Sequence, residues 1–291
     1  MTMIECFRKW VPRGVRNALR RPEASLRRLV AKSRRTVGMK SDMEPVPGWR
    51  LRCHPMCVSE FRAFHHDPEQ REELLSFIGQ CRPGMRFMDV GTHWGLFTLA
   101  ALHFGGNDST CLDIEASDAA VRILKDNLTL NEAISKTIVV NAACGDEPGV
   151  LSMLTTGAGG ADYFIVPQEQ RSDCIQVEQV TVDQMVALHR FVPTHLKIDV
   201  EGYEGEVLLG ARNVLARSRP IIFLELHGDL IRGRGGDPEV VLGRLAESGH
   251  THWQDVRGML LTLEEVRCRK HNLRMIALHA DNAVNAQNNQ V

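Results

Sequence analysis

The sequence predicts an α/β fold, a doubly wound and mainly parallel sheet with helices packed on both of its faces. From residue 84 onward, short apolar runs typical of buried strands alternate with amphipathic segments of roughly 10–15 residues. This alternation is typical of parallel strands joined by crossover helices. The chain of 291 residues is 43% hydrophobic and 24% charged, which is enough apolar sequence for a full core and excludes a disordered or fibrous protein.

Seven segments of this region have the pattern of strands, because each is a short run rich in apolar residues and bounded by polar or turn-forming residues. They are Met85–Val90, Thr110–Ile114, Thr137–Ala142, His195–Val200, Ile221–Leu226, His252–Val256 and Leu273–His279.

Helices are expected between these strands, and local signals mark where they begin or end. Gly105-Gly106 can end the first helix, Ser117 can cap the second, and Thr262-x-x-Glu265 forms a capping box ahead of the last. Pro238 suits a first helical turn, where its missing N–H costs nothing. These signals predict helices at Trp94–His103, Ser117–Leu130, Tyr203–Arg217, Pro238–Gly249 and directly after Thr262.

Residues 149–182 interrupt the alternation. Two strand-like runs, Val150–Leu154 and Ile175–Val180, flank a glycine-rich turn, Gly157-Ala158-Gly159-Gly160. Because no helical pattern separates the two runs, they predict a β-hairpin inserted into the fold.

The net charge of −1 conceals a strongly basic N-terminal region. Residues 1–40 hold twelve Lys or Arg and only two acids, so the rest of the chain is acidic. The chain is therefore predicted to comprise a basic arm (1–45), a lead-in segment (46–83), the α/β domain (84–280) and a polar tail (281–291).

The basic arm needs an explanation of its own. Its segment Arg21–Arg35 has the pattern of a basic amphipathic helix, with Leu26, Leu29 and Val30 on one side. Such a helix can contact an anionic membrane, bind nucleic acid, pack on a neighbour or stay solvated. Peripheral contact with an anionic membrane is the hypothesis we keep, and no nucleic-acid partner is expected because aromatic residues do not interleave the basic ones.

Targeting signals and cysteine usage indicate where in the cell the protein is expected. The longest apolar run, near Trp94–Phe104, is well short of the ~20 residues of a membrane span. The charged start lacks the apolar region of a secretory signal, although arginine-rich, acid-poor starts also occur in organellar transit peptides. The eight cysteines are scattered, and Cys53-His54-x-x-Cys57 has no second pair at zinc-site spacing. The cysteines are therefore predicted to be reduced thiols. The protein is predicted to be cytoplasmic, and peripheral at the membrane if the arm binds there.

Candidate functional residues follow the first two strands, because ligands of open parallel sheets bind beyond the carboxyl ends of the strands. The first strand ends near Asp89 and leads into Gly91-Thr92-His93-Trp94-Gly95. Gly91 permits a sharp turn and a close approach to a ligand, and Asp89 can accept hydrogen bonds. Glu115 ends the second strand, where an acid can bind both hydroxyls of a ribose or cap the next helix.

Ionisable residues also cluster at the ends of the fourth and fifth strands. Strand alternation puts Lys197 and Asp199 on one face of the fourth strand, and Glu201 follows. Glu225 and His227 share a face at the end of the fifth. Because buried strands seldom accept unpaired charge, these residues predict either a functional site or a set of salt bridges.

Several blocks between Phe87 and His227 together match one known pattern. They are Asp89-Val90-Gly91-Thr92-His93-Trp94-Gly95, Glu115-Ala116, Asn127 with Asn131, Thr181-Val182-Asp183, Lys197-Ile198-Asp199-Val200-Glu201-Gly202-Tyr203-Glu204 and Glu225-x-His227. In these blocks the chain resembles the FkbM family of S-adenosylmethionine (SAM)-dependent methyltransferases. Thr92 and His93 stand where the family has Ala and Asn, and Ala116 stands where it has Pro.

The resemblance implies a seven-stranded methyltransferase sheet with an antiparallel last strand, and SAM as the cofactor. It places the ribose of SAM at Glu115 and the amino-acid moiety at the turn after the first strand. The residues implied for that moiety are Asp89, Gly91, Thr92, His93 and Gly95. The family mostly methylates hydroxyl groups of sugars or natural products, which implies a small-molecule or glycan acceptor, covered in part by the hairpin at 149–182.

Three hypotheses about the chemistry stay open. A hydroxyl group is a weak nucleophile until its proton leaves, so a general base is expected, with His227 the first candidate and Asp199 the second. Alternatively, Asp199, Glu201, Glu225 and His227 hold Mg²⁺ or Mn²⁺, which activates the hydroxyl. The third hypothesis is a non-catalytic binding protein with the same fold. An NAD-dependent oxidoreductase is disfavoured by the Gly-x-x-x-Gly spacing, and the oligomeric state is open.

Overall fold

The structure is a computed structural model that describes residues 40–156, 162–165, 174–268 and 272–282. Most of the basic arm, including the expected Arg21–Arg35 helix, the Gly157–Gly160 turn and most of the polar tail lie outside the described residues. By its contacts the chain divides into two units, Met1–Arg62 and Ala63–Val291. The limits predicted for the arm, lead-in segment, α/β domain and tail remain predictions.

The described part of the first unit contains a β-hairpin that the sequence pattern did not predict. Strand β1 (Ser41–Val46) pairs antiparallel with strand β2 (Trp49–Cys53). A short 3-10 turn, Pro55–Cys57, follows, and the His54 ring caps it by accepting a hydrogen bond from the Met56 N–H at 3.2 Å. His54 thus has a structural role here, and the buried thiols of Cys53 and Cys57 are not joined in a disulfide.

The remaining strands and helices follow in chain order. The strands are β3 (Arg86–Val90), β4 (Thr110–Ile114), β5 (Thr137–Val140), β6 (Ala143–Cys144), β7 (Gly149–Thr156), β8 (Asp162–Ile165), β9 (Cys174–Val180), β10 (His195–Ile198), β11 (Ile221–Leu226), β12 (His252–Asp255) and β13 (Leu273–Leu278). The helices are α1 (Val58–His66), α2 (Pro68–Gln80), α3 (Leu96–Phe104), α4 (Asp118–Leu130), α5 (Val182–His189), α6 (Glu204–Leu209), α7 (Arg212–Ser218), α8 (Gly228–Gly233), α9 (Pro238–Glu247) and α10 (Leu263–Cys268).

Seven strands form the central sheet, in the order β12-β13-β11-β10-β3-β4-β5. The five strands from β11 to β5 are parallel to their neighbours, whereas β13 runs antiparallel to both β11 and β12. The structure therefore confirms the predicted α/β fold, including the antiparallel last strand that the resemblance implied.

Aromatic packing fixes helix α2 on one face of this sheet. The ring of Phe77 lies 4.8 to 5.2 Å from the rings of Phe87, Phe97 and Phe223, and all four side chains are buried. Aromatic pairs at such distances add to the free energy gained by burying their apolar area. Because side chains alternate along a strand, Phe87 and Phe223 point to the same face as Asp89 and Glu225, so α2 covers the polar strand ends.

The helix predicted at Tyr203–Arg217 is two helices, α6 and α7, and the single-helix prediction was wrong. The break lies at Gly210, whose carbonyl oxygen accepts a hydrogen bond from Asp183 N–H at 2.9 Å. The Asp183 carboxylate then caps α7 by accepting from Asn213 N–H and Val214 N–H at 3.0 and 2.9 Å. A residue from the start of α5 thus replaces the hydrogen bonds that a continuous helix would make.

The insertion is larger than the predicted hairpin. Strands β7 and β9 pair antiparallel, as predicted, but β8 extends the pair on one side and β6 on the other, giving a sheet of order β6-β9-β7-β8.

The structure confirms two predicted helix caps. Ser117 Oγ accepts from Ala120 N–H at 3.1 Å, and Thr262 exchanges hydrogen bonds with Glu265. In the part of the chain that the structure covers, no helix is long and apolar enough to cross a bilayer.

Candidate functional site

Parallel pairing brings the predicted residues to one edge of the sheet. Asp89 of β3 is in register with Asp113 of β4 on one side and with Lys197 of β10 on the other. Lys197 in turn is in register with Phe223 of β11, two residues before Glu225. The carboxyl ends of the four strands therefore lie side by side, as the fold class predicted.

The turn after β3 packs directly on the end of β10. Gly91 has a φ of +83°, and a Cβ atom there would overlap the backbone carbonyl oxygen of Asp199. The close approach expected at Gly91 is thus an approach to the protein's own backbone. Gly95 has a φ of +82° at the start of α3, where a Cβ atom would overlap the Leu124 side chain.

Thr92 and His93, which depart from the family pattern within this turn, hold the turn in place. The backbone N–H of His93, whose φ is +52°, donates to Glu115 Oε2 at 2.8 Å, and its ring stacks on Trp94 at 4.2 Å between centroids. Thr92 is buried, and its hydroxyl lies 3.4 Å from that of Thr98. Asn127, one of the two resembling asparagines, donates to the Trp94 carbonyl at 2.8 Å.

Glu115 is held by two backbone N–H groups. Besides His93 N–H, its carboxylate accepts from Ser117 N–H at 2.7 Å, so it links the turn after β3 to the start of α4. Burial raises the pKa of Glu115, while the hydrogen bonds from Ser117 and His93 favour the charged form. Both roles considered for this acid, capping and ligand binding, are compatible with the geometry, because each oxygen keeps a lone pair.

Asp89 belongs to a buried acidic pair that the sequence pattern did not reveal. The Thr98 hydroxyl lies 2.9 Å from Asp113 Oδ1 and 3.5 Å from Asp89 Oδ2. Burial raises the pKa of Asp89 to about 6, although Lys197 and Thr92 favour its charged form, and burial together with Asp89 raises that of Asp113 well above its usual range. Asp113 precedes Glu115 by two residues on the same strand face, which is the only signal that could have indicated it.

These residues fit the cofactor that the resemblance implies. Asp89 Oδ1 is buried and finds no hydrogen-bond donor among the described residues, so an ammonium group of a ligand could supply one. Glu115 presents a fixed carboxylate to hydroxyl donors. The two groups are the kinds that an amino-acid moiety and a ribose require.

His227 lies at the centre of the second group of predicted residues. Its side chain is only 2% exposed, and its Nε2 atom lies 3.8 Å from Asp199 Oδ1, 3.6 Å from Glu201 Oε2 and 3.7 Å from Glu225 Oε1. The structure thus brings together the four residues expected at the ends of the fourth and fifth strands. Asp199, Glu201 and His227 also form the one group in the described ranges with the spacing of metal ligands.

Glu204 is a further member of this group, although it was not predicted as a site residue. Its buried carboxylate oxygen Oε1 lies 2.7 Å from His227 Nδ1 and accepts from Gly202 N–H at 2.9 Å. This single atom fixes both the imidazole ring and the loop after β10. The motif that contains Glu204 was visible in the sequence, but its pairing with a residue 23 positions away was not.

The surrounding carboxylates change the charge state of His227. Burial alone lowers the pKa of an imidazole, but the hydrogen bond to Glu204 and the charges of Asp199 and Glu201 outweigh it and raise the pKa of His227 to about 9. Lys197 and His227 lower the pKa of Asp199, although burial opposes this. The side chains by themselves therefore favour an imidazolium ion among carboxylates at neutral pH.

Two cations bind the remaining acids of the cluster. Lys197 Nζ lies 2.7 Å from Asp199 Oδ2 and 4.7 Å from the centre of the Phe97 ring. Arg274 lies 2.8 Å from Glu225 Oε1 and 2.8 Å from Glu73 Oε2. Glu225 is thus engaged mainly by an arginine of β13, a partner that sequence reasoning did not find.

Comparisons with known proteins find similar methyltransferases. A family model described as a methyltransferase FkbM domain matches residues 89–265, more than half of the chain. A solved methyltransferase FkbM from Methylobacillus flagellatus KT is 14% identical with a TM-score of 0.44, covering 76% of this chain and 60% of that one. An O-methyltransferase from Bacillus cereus in complex with SAH is 14% identical with a TM-score of 0.43, covering 76% of this chain and 87% of that one.

A curated relative matches a shorter part of the chain. The ribosomal protein L11 methyltransferase of Geotalea uraniireducens (strain Rf4) is 39% identical over 62 residues, which are 21% of this chain and 19% of that protein. The match thus spans about a fifth of that relative. The family model, in contrast, includes both groups of site residues, from Asp89 to His227. On this match, the chain belongs to the FkbM family of methyltransferases.

Proposed function

We propose that this protein transfers a methyl group from SAM to a hydroxyl oxygen of a small-molecule or glycan acceptor, such as a sugar or a natural product. The observation that carries the proposal is the contact between Gly91 and the Asp199 carbonyl. It joins the turn suited to the cofactor to the end of β10, where Asp199 and Glu201 face His227 at the end of the neighbouring strand β11. A donor on one side and an acceptor on the other would therefore be neighbours.

The proposed chemistry is a direct displacement. SAM supplies an electrophilic methyl group on a sulfonium sulfur. The acceptor's oxygen forms the new bond to carbon as the carbon–sulfur bond breaks, and the hydroxyl proton must be removed. Asp199 and His227 are the residues expected to bind the hydroxyl and to draw its proton away.

The protonation state of His227 argues against a role as a simple general base. With a pKa of about 9 it holds a proton at neutral pH, whereas a base must be free to accept one. Metal-assisted transfer is therefore the second candidate, favoured by the ligand-like spacing of Asp199, Glu201 and His227. In that case the ion, rather than the imidazole, lowers the pKa of the hydroxyl.

A test of the function begins with labelled SAM and a panel of sugar and polyketide acceptors. On an acceptor that is methylated, His227→Ala and Asp199→Asn should reduce turnover at least about 100-fold, the usual effect of losing acid–base help, and leave SAM affinity near that of the wild type. Asp229→Asn is the matched control, because Asp229 lies two residues from His227 but is exposed and pairs with Arg232.

Two results would contradict the proposal. Wild-type turnover in both site variants would remove His227 and Asp199 from the acceptor side. Failure to bind SAM in calorimetry would favour a protein that keeps the fold without the reaction.

A further inference from the structure

The carboxylates around His227 leave a gap suited to a cation. Asp199 Oδ1, Glu201 Oε2 and Glu225 Oε1 all face His227 Nε2, yet each stays 3.6 to 3.8 Å away, beyond hydrogen-bonding distance. In the described ranges Nε2 has no hydrogen-bond partner, although its ring is 98% buried, whereas Nδ1 is bound at 2.7 Å. An imidazole nitrogen that faces three carboxylate oxygens without a hydrogen bond to any of them leaves room for a cation between these atoms.

These separations are in the range for ligands of one metal ion. At bond lengths of about 2.1 Å, neighbouring ligand atoms lie roughly 3.0 Å apart and opposite ones roughly 4.2 Å apart. One atom each from Asp199, Glu201 and His227 lies within 4.8 Å of the others. Glu201 is 47% exposed, so its side chain has room to adjust around an ion.

The four acids do not have the same role. Asp199 uses Oδ2 for Lys197 and presents Oδ1 to His227. Glu225 Oε1 already accepts from Arg274 at 2.8 Å and from Asn272 at 3.1 Å, so it adds charge rather than a ligand bond. Glu204 binds Nδ1 and not Nε2. Asp199, Glu201 and His227 are left as the ligands.

Two backbone and side-chain features hold this arrangement. The Glu204 carboxylate at Nδ1 fixes the ring, as carboxylates do for most metal-binding histidines. Glu201 has a left-handed φ of +52°, a conformation that costs a non-glycine residue free energy and clusters at functional sites. The Gly202 N–H that binds Glu204 keeps the loop in this form.

We propose that Asp199 Oδ1, Glu201 and His227 Nε2 bind one divalent cation of the Mn²⁺ type. One imidazole and two carboxylates suit such an ion better than Ca²⁺, which prefers six to eight oxygens, or structural Zn²⁺, which prefers cysteine. The ion takes the place of a proton on Nε2. Glu201 is 47% exposed, so an ion bound by this residue remains accessible from solvent.

The role of the ion rests on the proposed function. The acceptor hydroxyl occupies an open position, the ion lowers its pKa, and the proton leaves to water. The oxygen lone pair then forms the bond to the methyl carbon, and the electrons of the broken carbon–sulfur bond stay on sulfur. The ion is neither oxidised nor reduced.

The test measures binding of Mn²⁺ alone. The full chain is stripped with a chelator, dialysed and titrated with MnCl₂, and free Mn²⁺ is followed by electron paramagnetic resonance. One ion per chain is expected. Glu201→Gln and Asp199→Asn should weaken binding at least about 10-fold, and Glu204→Gln by about 10- to 100-fold. Asp229→Asn should bind as the wild type, and thermal unfolding shows that each variant is folded.

The outcomes separate this inference from the proposed function. Absence of stoichiometric Mn²⁺ binding, or equal affinity in wild type, Glu201→Gln and Asp199→Asn, overturns the metal site. If the stripped chain still methylates an acceptor at the full rate, the metal inference fails and the proposed function stands. If the wild type binds Mn²⁺ and the ligand variants do not, but no acceptor is methylated, the metal site is supported and the proposed methylation of a hydroxyl acceptor is contradicted.

Discussion

Glu115 has a structural role in the turn after β3, and the proposed function assigns the ribose of SAM to the same carboxylate. Through His93 N–H and Ser117 N–H it joins the turn after β3 to the start of α4. The two bonds also fix the direction of its remaining lone pairs. If Glu115 also binds SAM, a change at this residue has a structural and a ligand-binding effect, and separate measurements distinguish the two.

The first prediction is that Glu115→Ala weakens SAM binding by roughly 1–3 kcal/mol, because hydrogen bonds to a charged group are lost. Isothermal titration calorimetry measures the affinity. Ser117→Ala is the control, since Ser117 Oγ caps the same helix and its loss should cost about 1 kcal/mol of folding stability without affecting SAM. If Ser117→Ala weakens SAM binding as much as Glu115→Ala, Glu115 acts only through the fold.

At the scale of elements, the contact between the β3 turn and β10 sets the geometry of the site. Gly91 N–H donates to Ile114 O at 2.9 Å, and Asp199 N–H donates to Val90 O at 3.0 Å. The turn is thereby tied to both neighbouring strands. A side chain at Gly91 has no room, because the Asp199 carbonyl occupies the position of its Cβ atom.

The second prediction compares two glycines with a positive φ. Gly84 has a φ of +74° and nothing within 4 Å of its Cβ position, so Gly84→Ala should cost only the left-handed strain, about 1–2 kcal/mol. Gly91→Ala should cost roughly 1–3 kcal/mol more, because the clash with backbone adds to the strain. Urea unfolding of both variants gives the difference. Equal losses of stability would mean that the β3 turn can move away from β10.

Strands and helices with local signals could be predicted from the sequence, and those that depend on distant partners could not. Thr110–Ile114 and Ile221–Leu226 match their predicted bounds, because each is an apolar run between clear turn signals. Helix α8 (Gly228–Gly233) was missed, since glycines at both ends give no helical pattern. The break between α6 and α7 depends on Asp183, which lies 30 residues from Asn213.

The site shows the same difference between residues with local sequence signals and residues that depend on distant partners. The sequence alone predicted that four residues lie close together, because the carboxyl ends of parallel strands meet at one edge of the sheet. They are Asp199, Glu201, Glu225 and His227. Glu204 could not be assigned, because its function depends on the position of an imidazole ring from another strand. Arg274 could not be predicted as a site residue either. It lies 49 positions after Glu225 in the sequence, and its contact with Glu225 requires the antiparallel pairing of β13 with β11.

At the scale of the whole molecule, buried histidines lie at the end of the sheet away from the site. His195 begins β10, and His250 contacts the carbonyl oxygen of Pro220, just before β11, at 3.0 Å. Burial lowers the pKa of each to about 4. Both rings are therefore neutral in the folded protein at neutral pH and must be charged when the chain unfolds in mild acid.

The third prediction concerns stability against pH. The pKa of His250 is lower in the folded than in the unfolded state, so its contribution is fully present above about pH 6.5 and is lost as pH falls towards 4. At pH 5 the loss should be roughly 2 kcal/mol. His250→Gln removes it, so the stability difference between wild type and variant should shrink by that amount from pH 7 to pH 5.

A matched variant tests whether the effect is specific to the imidazole. Leu242→Val, at a buried position of α9, should destabilise by about 1 kcal/mol without adding or removing a titrating group. Its difference from the wild type should stay constant with pH. A His250→Gln difference that is equally constant between pH 7 and pH 5 would show that the ring does not resist protonation.

The charge asymmetry of the chain gives the last prediction, which we hold as a hypothesis. Residues 1–40 carry twelve Lys or Arg against two acids in a chain of net charge −1. Each cation near an anionic bilayer contributes about 1 kcal/mol at most, and salt screens this attraction over ~8–10 Å. Leu26, Leu29 and Val30 are too few to anchor the chain, so attachment should be peripheral and reversible.

Co-sedimentation with vesicles of anionic lipid checks this expectation. The full chain should sediment with the vesicles at low salt and be released at high salt, because screening removes the attraction. A chain without residues 1–40, which is more acidic, should stay in the supernatant at both salt concentrations. Vesicles of neutral lipid control for binding through apolar surface. Equal sedimentation of the two chains would assign the arm no part in membrane contact, whereas salt-dependent release of the full chain alone would place acceptors at a membrane surface within reach of the enzyme.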